Sequence, residues 1–160
     1  MKPMLSMSLI YPKMINGEMV SYEEKFLNLA KKQKSKISGL EEIEDQLDAI
    51  DAIEMDDQVK MLMEMVDSFH VQKKAFEEMI ELYKEQNIAE LFDMMSDYEE
   101  VSNVQTDLLD DRNTAWIPKI EDQIAKEPTF IAVGAAHLFG EKGVIQLLKD
   151  AGYTLKPLEQ

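Results

Sequence analysis

Thr129-Phe-Ile-Ala-Val-Gly-Ala-Ala-His-Leu-Phe-Gly-Glu-Lys-Gly, then Val144-Ile-Gln-Leu-Leu-Lys-Asp-Ala-Gly, then Tyr153-Thr-Leu-Lys-Pro-Leu, is the stretch on which the fold turns. It holds a short apolar run over 129–133, a small-residue turn ending at His137, and an amphipathic helix over 141–151. Gly152 stops that helix as a C′ residue, and a second short run follows at 153–156. The pattern predicts one β-loop-α-β unit. In such units functional groups gather where a strand ends and the chain turns, and His137 occupies that position.

Working back from this unit, residues 112–126 read as a helix capped by the Asp110-Asp111 pair, with Trp116, Ile117, Ile120 and Ile124 as its apolar residues. Pro118 falls early in it, where a missing N–H is tolerated or produces a kink. Residues 42–98 contain neither Gly nor Pro and break into several helices. Ile43, Leu47 and Ile50 mark one apolar face, and a turn follows near 54–57. A second helix carries Val59, Leu62, Met63, Val66 and Phe69 and runs on to Tyr83. Asn87 caps a third, with Ile88, Leu91, Phe92 and Met95. A connection near Ser102 and Asn103 leads to Leu108-Leu109-Asp110-Asp111.

Nearer the start, Ser21-x-x-Glu24 is a capping box opening a helix to about Lys34, with Phe26, Leu27 and Ala30 on one face. Residues 35–40 read as a short strand ending at Glu41. Residues 1–20, with Pro3, Pro12 and Asn16-Gly17, read as a loosely structured lead-in. The expected fold is therefore α/β, helix-rich and α+β in appearance. It has a small β-sheet of three short strands and a helical insertion over about 42–110, all in one domain spanning 1–160. Parallel sheets normally hold more strands than this, so the sheet is expected to be incomplete.

The composition narrows the function. A chain of 160 residues, 45% hydrophobic and 31% charged, suits one globular domain. Its formal net charge of -15 argues against nucleic acid, since no stretch concentrates enough Lys and Arg to overcome repulsion by phosphates. Such a surface keeps a protein soluble and could favour cationic peptides or metal ions. Cysteine is absent, which excludes disulfides, a thiol nucleophile and Cys-based zinc sites. No membrane-spanning segment is read. The mildly apolar stretch 4–14 lacks a basic n-region and a cleavage site, so no signal peptide is expected in this chain. Twelve Met residues are flexible core filler or the lining of an adaptable groove, with filler the first expectation.

Three residues could carry chemistry. His137 follows Gly134-Ala-Ala, and its imidazole could ligate a metal, move a proton, or simply hold a turn. Arg112 is the only arginine among 17 basic side chains and stands at a helix N-terminus, where a cation needs a specific reason. A bidentate clamp on an anion and a salt bridge to Asp110 or another acid are equally open. Glu41 ends the 35–40 run and could ligate a metal, act as general base, or start a helix among Glu42, Glu44 and Asp45. His70, within a helical run, reads as inert.

Gly39-Leu-Glu with Glu44-Asp-Gln46, Arg112-Asn113 with Trp116, and Phe130-Ile-Ala-Val-Gly-Ala-Ala-His-Leu-Phe-Gly resemble the TraB/GumN family. That family is related to the Tiki metalloproteases and more distantly to haem-uptake and erythromycin-esterase-like folds. The resemblance runs from Lys2-Pro3 to Pro157. It implies a metal-dependent hydrolase scaffold with two G-x-x-H motifs, a Glu and an Arg. Gly134 to His137 matches the second motif, Glu41 the acid and Arg112 the basic residue; the first motif has no counterpart here. The chain is accordingly expected to be the C-terminal part of a family member.

On this resemblance His137 and Glu41 would ligate a divalent ion such as manganese, cobalt or zinc, with Arg112 stabilising an oxyanion on a peptide or protein substrate. Full-length relatives would be extracytoplasmic. The competing expectation is a non-catalytic peptide-binding or pheromone-silencing module whose groove is formed by the Met-rich helices. An incomplete sheet would also expose an edge through which two copies pair.

Overall fold

A computed structural model of the chain describes residues 2–15, 19–96 and 106–158. Helix dominates them. Two short helices, α1 (Pro3–Met7) and α2 (Tyr11–Met14), replace the loose lead-in, each with a proline near its start, where the missing N–H leaves nothing unsatisfied. Helix α3 (Tyr22–Gln33) opens on Ser21, whose Oγ accepts from the Glu24 N–H at 3.1 Å. Helix α4 (Ile43–Asp51) opens on a capping box formed by Glu42 and Asp45.

The run expected to reach Tyr83 is two helices, α5 (Met55–Asp67) and α6 (Phe69–Lys84). Ser68 separates them, its backbone out of the helical region and its hydroxyl donating to the Glu64 carbonyl. A serine that bonds back to the preceding turn competes with the helical ladder. Asn87 caps α7 (Ile88–Ser96) through Oδ1, as expected. A π-helical turn, Thr106–Asp110, runs directly into α8 (Asp111–Ile124), so no aspartate side chain caps that helix. Helix α9 (Val144–Asp150) ends in a Schellman motif: Gly152 takes φ 93° and the Tyr153 N–H reaches the Leu148 carbonyl at 3.0 Å.

The expected α/β fold is corrected here. No β-strand forms among the described residues. The runs at 35–40, 129–133 and 153–156 are neither helix nor paired strand. Strand propensity yields a strand only where a neighbour completes the ladder, and these runs pass over helices instead. The 129–133 run keeps its alternation: Ile131 and Val133 pack against the Trp116 cluster while Phe130 stays 76% exposed. With no sheet there is no sheet edge, and pairing of two copies through one loses its basis. Asn16-Gly17, Ser102 and Asn103 lie outside the described residues.

Two apolar cores form. Met7, Met14 and Met65 centre the first, with Met4, Ile10, Met61, Leu62, Phe69 and Phe76 against them, joining α1, α2, α5 and α6. These methionines fill core. Met19, Met55 and Met63 do not, being about half exposed. Trp116, Ile120 and Val144 centre the second core, with Leu40, Ile131 and Val133 packed against it. Helices α8 and α9 and the two ladder-less runs meet there, around the candidate site.

Candidate functional site

Gly39 brings Glu41 to α8. A Cβ at position 39 would lie 2.7 Å from the Glu41 carbonyl oxygen, so the bend before Glu41 requires glycine. Arg112 on α8 then grips the carboxylate with a fork: Nε donates to Oε2 at 3.0 Å and Nη2 to Oε1 at 2.6 Å. Trp116, one turn further along α8, donates its Nε1–H to Glu41 Oε2 at 3.0 Å. The Lys119 ammonium, on the same face, donates to the Leu40 carbonyl at 2.7 Å. Burial pushes the Glu41 pKa up, but the hydrogen bonds from Arg112 and Trp116 and the Arg112 charge outweigh it. The carboxyl is held below the usual range.

His137 closes the 3-10 turn Ala135–His137 and is 8% exposed. Its ring centroid lies 4.5 Å from that of Trp116, and the Arg112 Cζ lies 5.3 Å from the Trp116 ring centroid. Asn113 Oδ1 lies 2.7 Å from His137 Nδ1, while Asn113 Nδ2 donates to the Lys142 carbonyl at 2.9 Å. Gly143, next along the chain, packs against the Phe139 backbone: a Cβ there would lie 2.3 Å from the Phe139 carbonyl oxygen. Burial, then the Arg112 charge, lowers the His137 pKa to about 4 against the opposing pull of Glu41, so the imidazole is neutral near pH 7.

Glu41, Arg112 and His137, far apart in sequence, are thus gathered around one indole. Glu41, Arg112 and Trp116 line an open hollow of about 350 Å³, with Asp45 and Lys119 at its side. His137 stands behind Trp116 and is not among the lining residues. His70 is exposed on α6, away from this site.

Asn113, Trp116 and Gln46 were not singled out by sequence reasoning as working groups. The available signal was spacing: Arg112 and Trp116 at i and i+4 share one face of α8. Arg112 turns out to be an ion-pair partner of an acid, and the acid is Glu41 rather than Asp110.

A divalent ion fits these donors poorly as they stand. Glu41 has about four lone-pair positions, and they meet two N–H groups of Arg112, the Trp116 N–H and Gln46. The guanidinium also repels a cation at that carboxylate. His137 keeps one nitrogen, and no group of three or more His, Asp or Glu converges among the described residues.

The fold and site define a helical domain with a buried, neutral histidine and a clamped Glu–Arg pair on a tryptophan hub. The chain belongs to the TraB/PrgY/gumN family, whose family model matches residues 1–157. Comparison with curated proteins and with solved structures returns no match.

Proposed function

We propose that residues 1–157 form one family domain that acts hydrolytically on peptides, with Glu41, Arg112 and His137 as its working groups. The observation that supports this reading is the convergence of all three on Trp116. His137 supplies a neutral imidazole whose Nδ1 is taken by Asn113, leaving Nε2 to accept a proton from attacking water and pass it to the amine that leaves as the C–N bond breaks. Because His137 stands behind Trp116 and off the hollow, this step needs the indole displaced when substrate binds. Arg112 has five N–H groups and spends three, on Glu41 and on the Leu108 carbonyl. The two that remain can receive the oxygen of a polarised carbonyl. Glu41 serves by holding the guanidinium at the hollow.

No step is routed through a metal, because the described donors do not make a cage for one. Manganese, cobalt or zinc would enter only with further ligands beside His137.

The test is incubation of the chain with a peptide mixture, with and without each of these ions, reading new termini by mass spectrometry. New termini in the wild type that vanish in His137→Ala and Arg112→Lys support hydrolysis. No new termini under any condition would overturn it. Binding without cleavage is the second reading, favoured by the full engagement of the Glu41 carboxylate. Calorimetric metal titration separates a third outcome, saturable ion binding lost in His137→Ala.

A further inference from the structure

Helix α3 is amphipathic and buries no residue. Tyr22, Phe26 and Leu29 follow one another at helical spacing and are 54%, 36% and 49% exposed. Lys25 and Lys32 flank this stripe on one side, and Lys31, Lys34 and Lys36 make the end of the helix the densest basic stretch in a chain of net charge -15. Among the described residues Phe130 meets this face, its ring 5.1 Å from that of Phe26 and itself largely exposed. Such a face buries its apolar stripe only against something else.

On α6 and α7 lies a groove with the opposite character. Glu77, Glu78 and Glu81 of α6 and Glu85 at its C-cap recur along one side, and Glu90 and Asp93 face them from α7; Lys74 and Lys84 are the cations lining it among the described residues. Met14, Ile15, Ile80 and Met94 form its apolar floor. From Lys74 to Glu85 the groove runs about 16 Å, three helical turns at 1.5 Å per residue. Helix α3, with its 12 residues, spans about 18 Å by the same rise. None of the groove's lining residues belongs to the Glu41–Arg112 hollow.

We propose that the groove's occupant is α3 of a second copy of this chain. Apolar stripe then meets apolar floor, and Lys25 and Lys32, beside the stripe, meet the carboxylates of α6 and α7. Repulsion between two acidic bodies is screened within about 8 Å at physiological ionic strength, whereas contacting charge pairs are screened much less. The contact joins two different surfaces, so copies associate head to tail. It goes beyond the proposed hydrolytic role and uses none of its residues.

Sedimentation equilibrium of the full chain over a concentration series tests this. The expected result is a mass that rises with concentration in the wild type. The groove variant Glu78→Lys/Glu81→Lys/Glu85→Lys and the helix variant Lys25→Glu/Lys32→Glu should each weaken association about tenfold or more. Mixing the two variants should restore it, because each supplies the charge its partner now needs. Circular dichroism checks that both variants fold, and the reversed residues are solvent-exposed. A wild type that stays monomeric overturns the proposal. So does association that neither variant alters, or a mixture that does not recover.

Discussion

Asn113 Oδ1 lies 2.7 Å from His137 Nδ1, and its Nδ2 lies 2.9 Å from the Lys142 carbonyl. The pair decides which imidazole nitrogen carries the proton. An amide facing a carbonyl must present its NH₂, because two oxygens would repel. Oδ1 is therefore turned to the histidine, and an oxygen there requires an N–H. His137 is held as the Nδ1–H tautomer with its lone pair on Nε2. Long-range ¹H–¹⁵N correlation at pH 7 should show a protonated Nδ1 and a bare Nε2. In Asn113→Ala the two nitrogens should move toward averaged shifts, and stability should fall by about 1–3 kcal/mol as the Lys142 carbonyl and Nδ1 lose their partner.

A charge at position 113 makes a second test. Asn113→Asp puts a carboxylate against Nδ1 with the same side-chain shape, while its second oxygen replaces the donor to the Lys142 carbonyl. The imidazolium is then stabilised, and the His137 pKa should rise from about 4 toward neutrality. An NMR titration, with His70 removed by substitution to simplify the spectrum, reads this directly. An unchanged titration would mean that Asn113 does not face the ring.

The lowered pKa of His137 also ties stability to pH. Above the ordinary value of 6.5, folded and unfolded chains both hold it neutral. As pH falls from about 6.5 to about 4 the unfolded chain takes a proton that the fold refuses, so stability declines, and below about 4 the decline stops. Integrated over that window the loss is at most ~3–4 kcal/mol. Urea midpoints at stepped pH should fall through this range in the wild type and less steeply in His137→Gln. Glu41 acts lower down: its depressed pKa contributes stability above the ordinary carboxylate range, lost as pH falls through the folded value.

How much of this was legible follows from what each signal depends on. Local signals read well: the Ser21 and Asn87 caps and the Gly152 stop need only neighbouring residues and stand where the sequence puts them. The strands did not, because a strand depends on a partner that no local window contains. In the 129–133 run, alternation correctly separates Ile131 and Val133 from Phe130 and says nothing of whether a ladder exists. The lead-in is helical because Pro3 and Pro12 each sit in the first turn of a short helix, a place where proline starts a helix and does not break it. At the site, the solitary Arg112 was visible as an anomaly. Its partner Glu41, 71 positions away, could not be read from spacing.

Breaking that pair from either side should be expensive. The side chains of Arg112 and Glu41 are 21% and 9% exposed, and the carboxylate accepts from Trp116 as well. Arg112→Lys keeps the charge but loses the fork, and chemical denaturation should show a loss of about 2–3 kcal/mol. Trp116→Phe keeps the ring packing and removes one charge-assisted donor, a smaller loss of about 1.5 kcal/mol. A larger loss for Trp116→Phe than for Arg112→Lys would contradict the assignment of Arg112 as the principal clamp.

Lys34 and Gln86 occupy the left-handed region at φ 57° and 59°, positions where helices usually end on glycine. Behind each, a backbone N–H closes on the preceding turn, Ser35 to Ala30 and Asn87 to Leu82. Glycine relieves the Cβ strain but adds freedom to the unfolded chain, and at such caps the relief dominates. Gln86→Gly should raise stability by about 0.5–1 kcal/mol, seen as an upward shift in Tm. Gly152→Ala, at φ 93°, should lower it by a similar amount.

Gly39 gives the sharpest test of how the site is positioned, because its effect on Glu41 runs through the backbone. A methyl group at position 39 would stand 2.7 Å from the Glu41 carbonyl oxygen, and a backbone atom cannot swing away as a flexible side chain can. The chain between the two residues must shift, carrying the carboxylate off the fork that Arg112 makes with it. Gly39→Ala should therefore destabilise mainly by disturbing the Glu41–Arg112 contact. In a double-mutant cycle with Arg112→Lys the two losses should fall short of adding, with a coupling of about 1 kcal/mol or more. Losses that add to within about 0.3 kcal/mol would show that Gly39 and the ion pair are independent. The bend before Glu41 would then have a cause unrelated to the site.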